Sequence, residues 1–117
     1  VITSRSEGSS RGKISGTVAE YQEYARERCS AYGWSDNDFN SLVKLWNRES
    51  GWNPNTRNSS SGAYGIPQAL PASKMASAGS DYMTNYKTQI NWGLSYISSR
   101  YGSPSSAWSY FQSNGWY

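Results

Sequence analysis

Residues 35–54 read SDNDFNSLVKLWNRESGWNP, and the rest of the chain is best understood outward from them. Ser35 is a good N-cap, and Asp36 and Asp38 fall in the first turn, where the helix dipole favours negative charge. Phe39, Leu42, Val43 and Trp46 follow at i, i+3, i+4 and i+7, which predicts an amphipathic helix with one buried face. At 100° per residue Glu49 lies about 20° from Leu42, on the edge of that apolar stripe. Gly51 suits the C′ position and Pro54 forbids continuation, so Glu49 belongs to the last turn. Trp46 and Trp52 flank it. A carboxylate is thus set where helix, aromatic surface and loop meet.

Upstream, Thr17-Val-Ala-Glu20 has the form of a capping box, and Val18, Tyr21, Ala25 and Cys29 trace a stripe that ends near Tyr32-Gly33. Residues 1–16 hold Ser, Gly, Arg and Lys without apolar period, and read as a flexible leader or linker remnant ahead of one domain, 17–117. Downstream, residues 52–70 are rich in Asn, Ser, Gly and Pro, which predicts a loop with one or two short strands and turns at Ser61-Gly62 and Gly65. A short helix is expected from Pro71 to before Gly79. A longer one should run from about Asn85 to Tyr101, capped by Thr84, with Tyr86, Ile90, Leu94, Ile97 and Tyr101 inward and Gly93 allowing close packing. Pro104 opens a last helix through about Gln112. The expected fold is α+β, mostly helical, with a small irregular or β lobe lining a cleft.

Composition narrows the chemistry. The chain has 117 residues, enough for one small domain, and 36% hydrophobic residues with six Trp and ten Tyr. So small a domain is not expected to bury them all, and the remainder can line a groove. Trp52, Tyr64, Tyr96, Trp108, Trp116 and Tyr117 are candidates, with core packing as the alternative for each. A net charge of +3, scattered rather than clustered, argues against a nucleic-acid surface. No stretch approaches a membrane span. The abundance of Ser, Asn, Tyr and Gly has an extracellular character. With no His and one Cys, the chain excludes His-based nucleophilic triads, an intrachain disulfide and a Cys-rich zinc site. Cys29 reads as a small buried apolar residue, and neither metal nor cofactor is implied.

Carboxylates remain. Apolar flanks desolvate Glu49, and the helix C-terminus opposes its negative charge, so its pKa should rise. Arg48 points about 100° away. A protonated Glu beside an aromatic groove is what cleavage of a glycosidic bond requires. Such enzymes usually need a second carboxylate. Here no acid occurs between Ser50 and Ser80, Asp36 and Asp38 sit at the far end of the helix, and Asp81 lies in a turn. One carboxylate would have to serve alone.

Glu49-Ser50-x-Trp52-x-Pro54, followed by Ser61-Gly62-Ala63-Tyr64-Gly65-Ile66-Pro67-Gln68-Ala69-Leu70-Pro71, resembles the lysozyme-like soluble lytic transglycosylase domain. The likeness is nearest to secreted transglycosylase-like proteins of Gram-positive walls, and covers roughly residues 30–117. It implies cleavage of the bond between N-acetylmuramic acid and N-acetylglucosamine in peptidoglycan glycan strands, with Glu49 as acid and then base and a 1,6-anhydro product. It further implies that Ser50, Gly65, Ile66 and Gln68 line sugar subsites, and that Tyr110 or Trp108 orients the acid. The site then comprises catalytic Glu49 with Ser50, Tyr64, Gly65, Ile66, Gln68, Tyr96, Trp108, Tyr110 and Trp116. A secreted, wall-associated monomer is expected. The alternatives are a hydrolytic muramidase and a wall-binding module that kept the fold without catalysis. Pro67 replaces a frequent Met, and the Cys pair common in close relatives is missing.

Overall fold

The computed structural model describes residues 16–117 and consists of four α-helices and one 3₁₀ helix. The expected leader, 1–16, lies outside the described residues except for Gly16. Helix α1 spans Val18–Ala31 and opens with the Thr17/Glu20 capping box. Helix α2 spans Asp36–Glu49, with a second reciprocal box between Ser35 and Asp38. Helix α3 spans Tyr86–Arg100 and α4 spans Pro104–Asn114. The expected α3 cap was Thr84. Instead the Asn85 side chain accepts from the Lys87 N–H at 2.9 Å, while the Thr84 hydroxyl donates to the Asp81 carbonyl. Helix α4 runs past Gln112 because the first left-handed residue available to stop it is Gly115, at φ 80°.

The fold is mostly helical, as expected, and only the β part of the α+β expectation is not seen. Among the described residues there is no strand, only isolated bridges from Tyr64 to Arg57 and to Ala69. The physical reason lies in the side chains of this segment, which satisfy the backbone locally. Asn53 Oδ1 accepts from the Asn55 N–H, and Asn58 Oδ1 accepts from those of Ser60 and Ser61. Such bonds compete with ladder pairing. The short helix expected after Pro71 is present, as a 3₁₀ helix over Ala72–Ser77.

The main core joins Tyr21, Ala25 and Cys29 of α1 to Leu42, Leu45 and Trp46 of α2, Ile90, Leu94 and Ile97 of α3, and Ala107 of α4. Gly93 is decisive here, since a Cβ on it would stand 2.5 Å from Trp46 Cζ2. A second, smaller cluster of Tyr64, Ala69 and Met75 holds the irregular lobe. The two are bridged by Gln89 of α3, which is fully buried. Its amide donates to the carbonyls of Pro54 and Tyr82 and accepts from the Ile66 N–H. Its side chain fills the space a Cβ on Gly65 would need, with Oε1 2.6 Å from that position.

Candidate active site

The helix that carries Glu49 stops as its sequence requires. Ser50 forms the C-cap, Gly51 turns the chain at φ 64°, and Trp52 continues the left-handed path at φ 61°. That conformation is costly for a large side chain. It is held by burial of the Trp52 indole, whose N–H donates to the Val43 carbonyl at 3.2 Å and whose ring meets Trp46 edge-on at 5.1 Å. Ser50 then fastens α2 to the lobe, its hydroxyl donating to the Ile66 carbonyl at 2.8 Å.

A cleft of about 480 Å³ opens beyond this junction. Glu49 lies on one side of it with Gly115, Trp116 and Tyr117 from the end of the chain. The lobe contributes Asn58, Ser61, Ala63, Pro67, Gln68, Ala69, Leu70 and Lys74, and α3 contributes Trp92 and Tyr96. Those two rings stack at 5.1 Å, and Trp116 and Leu70 are each about half exposed at 53% and 51%. Apolar faces therefore border a cleft with one carboxylic acid.

Burial of Glu49 raises its pKa from 4.5 to about 7. The packed helix end shields part of the Glu49 side chain from water, and the charged form loses some of its hydration there. Nothing offsets this from Arg48, whose guanidinium lies over the Phe111 ring at 5.4 Å. Among the described residues Glu49 has no ion-pair partner. Asp38 and Asp81, the acids weighed as partners from sequence, are occupied elsewhere. Asp38 accepts from the Ser35 and Ser105 N–H groups, and Asp81 accepts from Thr88 Oγ1 at 2.6 Å and from Asn85. Those bonds hold the Asp81 carboxyl below its usual range.

The residues expected from sequence divide by position. Glu49, Gln68, Tyr96 and Trp116 meet in the cleft. Ser50, Tyr64, Gly65 and Ile66 lie behind its lobe wall, not among the lining residues. The Gly65 N–H donates to the Thr56 carbonyl at 2.9 Å, and the Ile66 N–H to Gln89. Tyr64 is buried under the Arg57 guanidinium, 4.8 Å from its ring centre. Gln68 is held at φ 56°, its amide N–H₂ donating to the carbonyls of Thr56 and Gly65. Its Oε1 is thereby left as an acceptor. Trp108 stacks on Phe111 at 5.9 Å, and Tyr110 lies between Tyr101 and Trp116. Neither lines the cleft.

Sequence named Tyr117 only among the aromatic residues that could line a groove or pack in the core, with no role beside Glu49. Its hydroxyl accepts from the Trp46 indole N–H at 2.7 Å, and its carbonyl accepts from the Tyr96 hydroxyl at 2.8 Å. Burial raises the phenol pKa well above 10, and the nearby Glu49 charge raises it further. No local pattern reports this contact, because it joins residues 71 apart.

Fold and cleft together define a small helical domain whose cleft is lined, among the described residues, by one carboxylic acid. The family model for the Transglycosylase SLT domain matches residues 24–113, and the chain belongs to that family of lytic transglycosylase-type, peptidoglycan-cleaving domains. Comparison with curated proteins and with solved structures gave no match.

Proposed function

We propose that this domain cleaves the β-1,4 bond between N-acetylmuramic acid and N-acetylglucosamine with formation of a 1,6-anhydromuramoyl end, using Glu49 as the sole protein acid and base. The observation that carries this reading is a carboxyl with a pKa of about 7 and no other acid among the described cleft residues. Near neutral pH such a group holds a proton in part of the population and can return as a base. In the first half-reaction the Glu49 proton passes to the glycosidic oxygen and the C1–O bond breaks. The substrate's 2-acetamido oxygen closes on C1, so no protein nucleophile is needed. In the second, the Glu49 carboxylate takes the proton of the 6-hydroxyl, O6 attacks C1, the bond from C1 to the acetamido oxygen breaks, and both the acetamido group and the acid are regenerated.

Tyr117 is the positioning residue in this reading. Its phenol oxygen accepts the Trp46 N–H, which leaves its own proton available to a neighbouring acceptor. The Glu49 charge reaches this phenol and raises its pKa, which supports a role for Tyr117 beside the carboxylate. Gln68 Oε1 and the Trp116 face serve as sugar contacts. Action on wall glycan implies a secreted, wall-associated protein, working here as a monomer.

Mass spectrometry of digested cell wall tests the reaction. The expected soluble fragments end in anhydromuramic acid, 18 mass units below the hydrolytic product because a water is not added. Reducing ends alone would make the protein a muramidase. Binding without release of fragments, equal in the native chain and in Glu49→Gln, would make it a wall-binding module.

A further inference from the structure

The cations of this domain are mostly laid on aromatic rings: Arg48 over Phe111, Arg57 over Tyr64, Lys87 over Tyr24 and Arg100 over Tyr96. Lys74 is different. Among the described residues no ring and no carboxylate accompanies its side chain, and it is the one cation in the cleft lining. Its backbone is firmly placed: its N–H donates to the Pro71 carbonyl, its own carbonyl accepts from Ser77 Oγ, and the adjacent Met75 is fully buried. No acid occurs from Ser50 to Ser80, so nothing in the lobe's own sequence competes for the ammonium. An uncommitted positive charge on a rigid support beside a sugar-sized cleft suits a ligand that brings its own anion.

We propose that Lys74 makes the cleft selective for glycan strands whose muramoyl residue carries a carboxylate on its 3-O substituent. The inference rests on the glycan reading above and deepens it. Two sources supply that chemistry: the lactyl carboxylate of a muramoyl residue without peptide, and the carboxylates of an attached peptide. N-acetylglucosamine units offer neither. Lys74 is thus a specificity residue acting on the substituent, not on the bond that breaks.

The test is a set of binding titrations with Glu49→Gln, which removes cleavage from the readout, and with Glu49→Gln/Lys74→Gln. Four soluble tetrasaccharides are the probes: neutral N-acetylglucosamine oligomer, alternating muramoyl oligomer with free lactyl groups, the same oligomer bearing peptide, and that peptide form with its carboxyls amidated. For an exposed ion pair at low salt the anionic forms should bind about two- to fivefold tighter than the neutral ones. Lys74→Gln should erase that ratio, Lys74→Arg should keep it, and molar salt should erase it in the parent. A gain with the bare lactyl oligomer assigns the lactyl source, and a gain with the peptide form alone assigns the peptide. Equal affinity for neutral and anionic oligomers in the parent, or a ratio that survives Lys74→Gln, overturns the proposal while leaving the glycan reading intact. Failure to bind any of the four overturns both.

Discussion

At the scale of the residue, the defining feature is a carboxyl whose usefulness and cost have one origin. Burial that lifts Glu49 to about 7 also makes its ionisation unfavourable in the folded chain. The folded pKa is raised above the unfolded value of 4.5, so this group's stability contribution is fully present below pH 4.5 and is lost as pH rises through 7. The difference corresponds to about 3 kcal/mol between those limits. Glu49→Gln removes the titration, so urea unfolding should show the variant gaining up to about 3 kcal/mol on the native chain between pH 4 and pH 8. A gap independent of pH would mean the carboxyl is hydrated. The same group sets activity. Because the acid form begins the reaction, kcat/KM should fall as pH rises above about 7, the value of the Glu49 carboxyl. Tyr117→Phe should lower kcat more than it raises KM and should move that alkaline limb. It should also cost about 1 kcal/mol, because the Trp46 indole N–H loses its acceptor. A loss of stability with an unmoved pH profile would make Tyr117 a packing residue only.

At the scale of the element, the helices and the lobe differ in how far local sequence specifies them. Helix α2 was legible nearly to the residue because cap, stripe and terminator agree: Ser35, the Phe39–Trp46 face, and Gly51. The close approach at Gly93 was legible too, as a glycine inside a helical stripe. Thr84 misled, because Thr and Asn both cap, and the local turn from Asp81 takes the Thr84 hydroxyl while Asn85 Oδ1 is left to cap the helix. The lobe was legible as a loop but not in its pairing, since Asn53 and Asn58 take backbone bonds that β-formers alone would assign to strands. Gln89 was invisible for a related reason. A polar residue within a helical stripe reads as solvent-facing, whereas here three buried backbone groups require it. Gln89→Leu leaves those groups without partners, at about 1–3 kcal/mol for each that water does not reach. The expected result is a loss of at least about 3 kcal/mol in urea unfolding, against about 1 kcal/mol or less for a surface change on α3 such as Ser98→Ala.

At the scale of the whole molecule, the cleft joins two unequal bodies. The helical body is held by a continuous core that runs through all four helices, whereas the lobe rests on the smaller cluster of Tyr64, Ala69 and Met75 and is tied to the body by Ile66, which packs in the main core, and by Gln89 and Ser50. Fewer buried apolar contacts mean a lower free energy of local opening, so the lobe should open without the body. Hydrogen exchange measures this directly. The Gly65, Ile66 and Ala69 amides, which bond to Thr56, Gln89 and Tyr64, should be less protected than those of Leu42, Trp46, Leu94 and Ile97. The cleft takes Glu49 and Tyr117 from the body and Gln68, Leu70 and Lys74 from the lobe, so opening the lobe destroys the binding surface. A glycan tetrasaccharide at one hundred times its Kd, bound to Glu49→Gln, should then slow lobe exchange by about one hundredfold, the roughly 2.7 kcal/mol of linkage at that concentration. If the body alone carried the glycan, the lobe amides would exchange at their original rate. Slowing confined to the body would therefore move the sugar path off Gln68 and Lys74, whereas slowing of the lobe requires both bodies to hold one ligand.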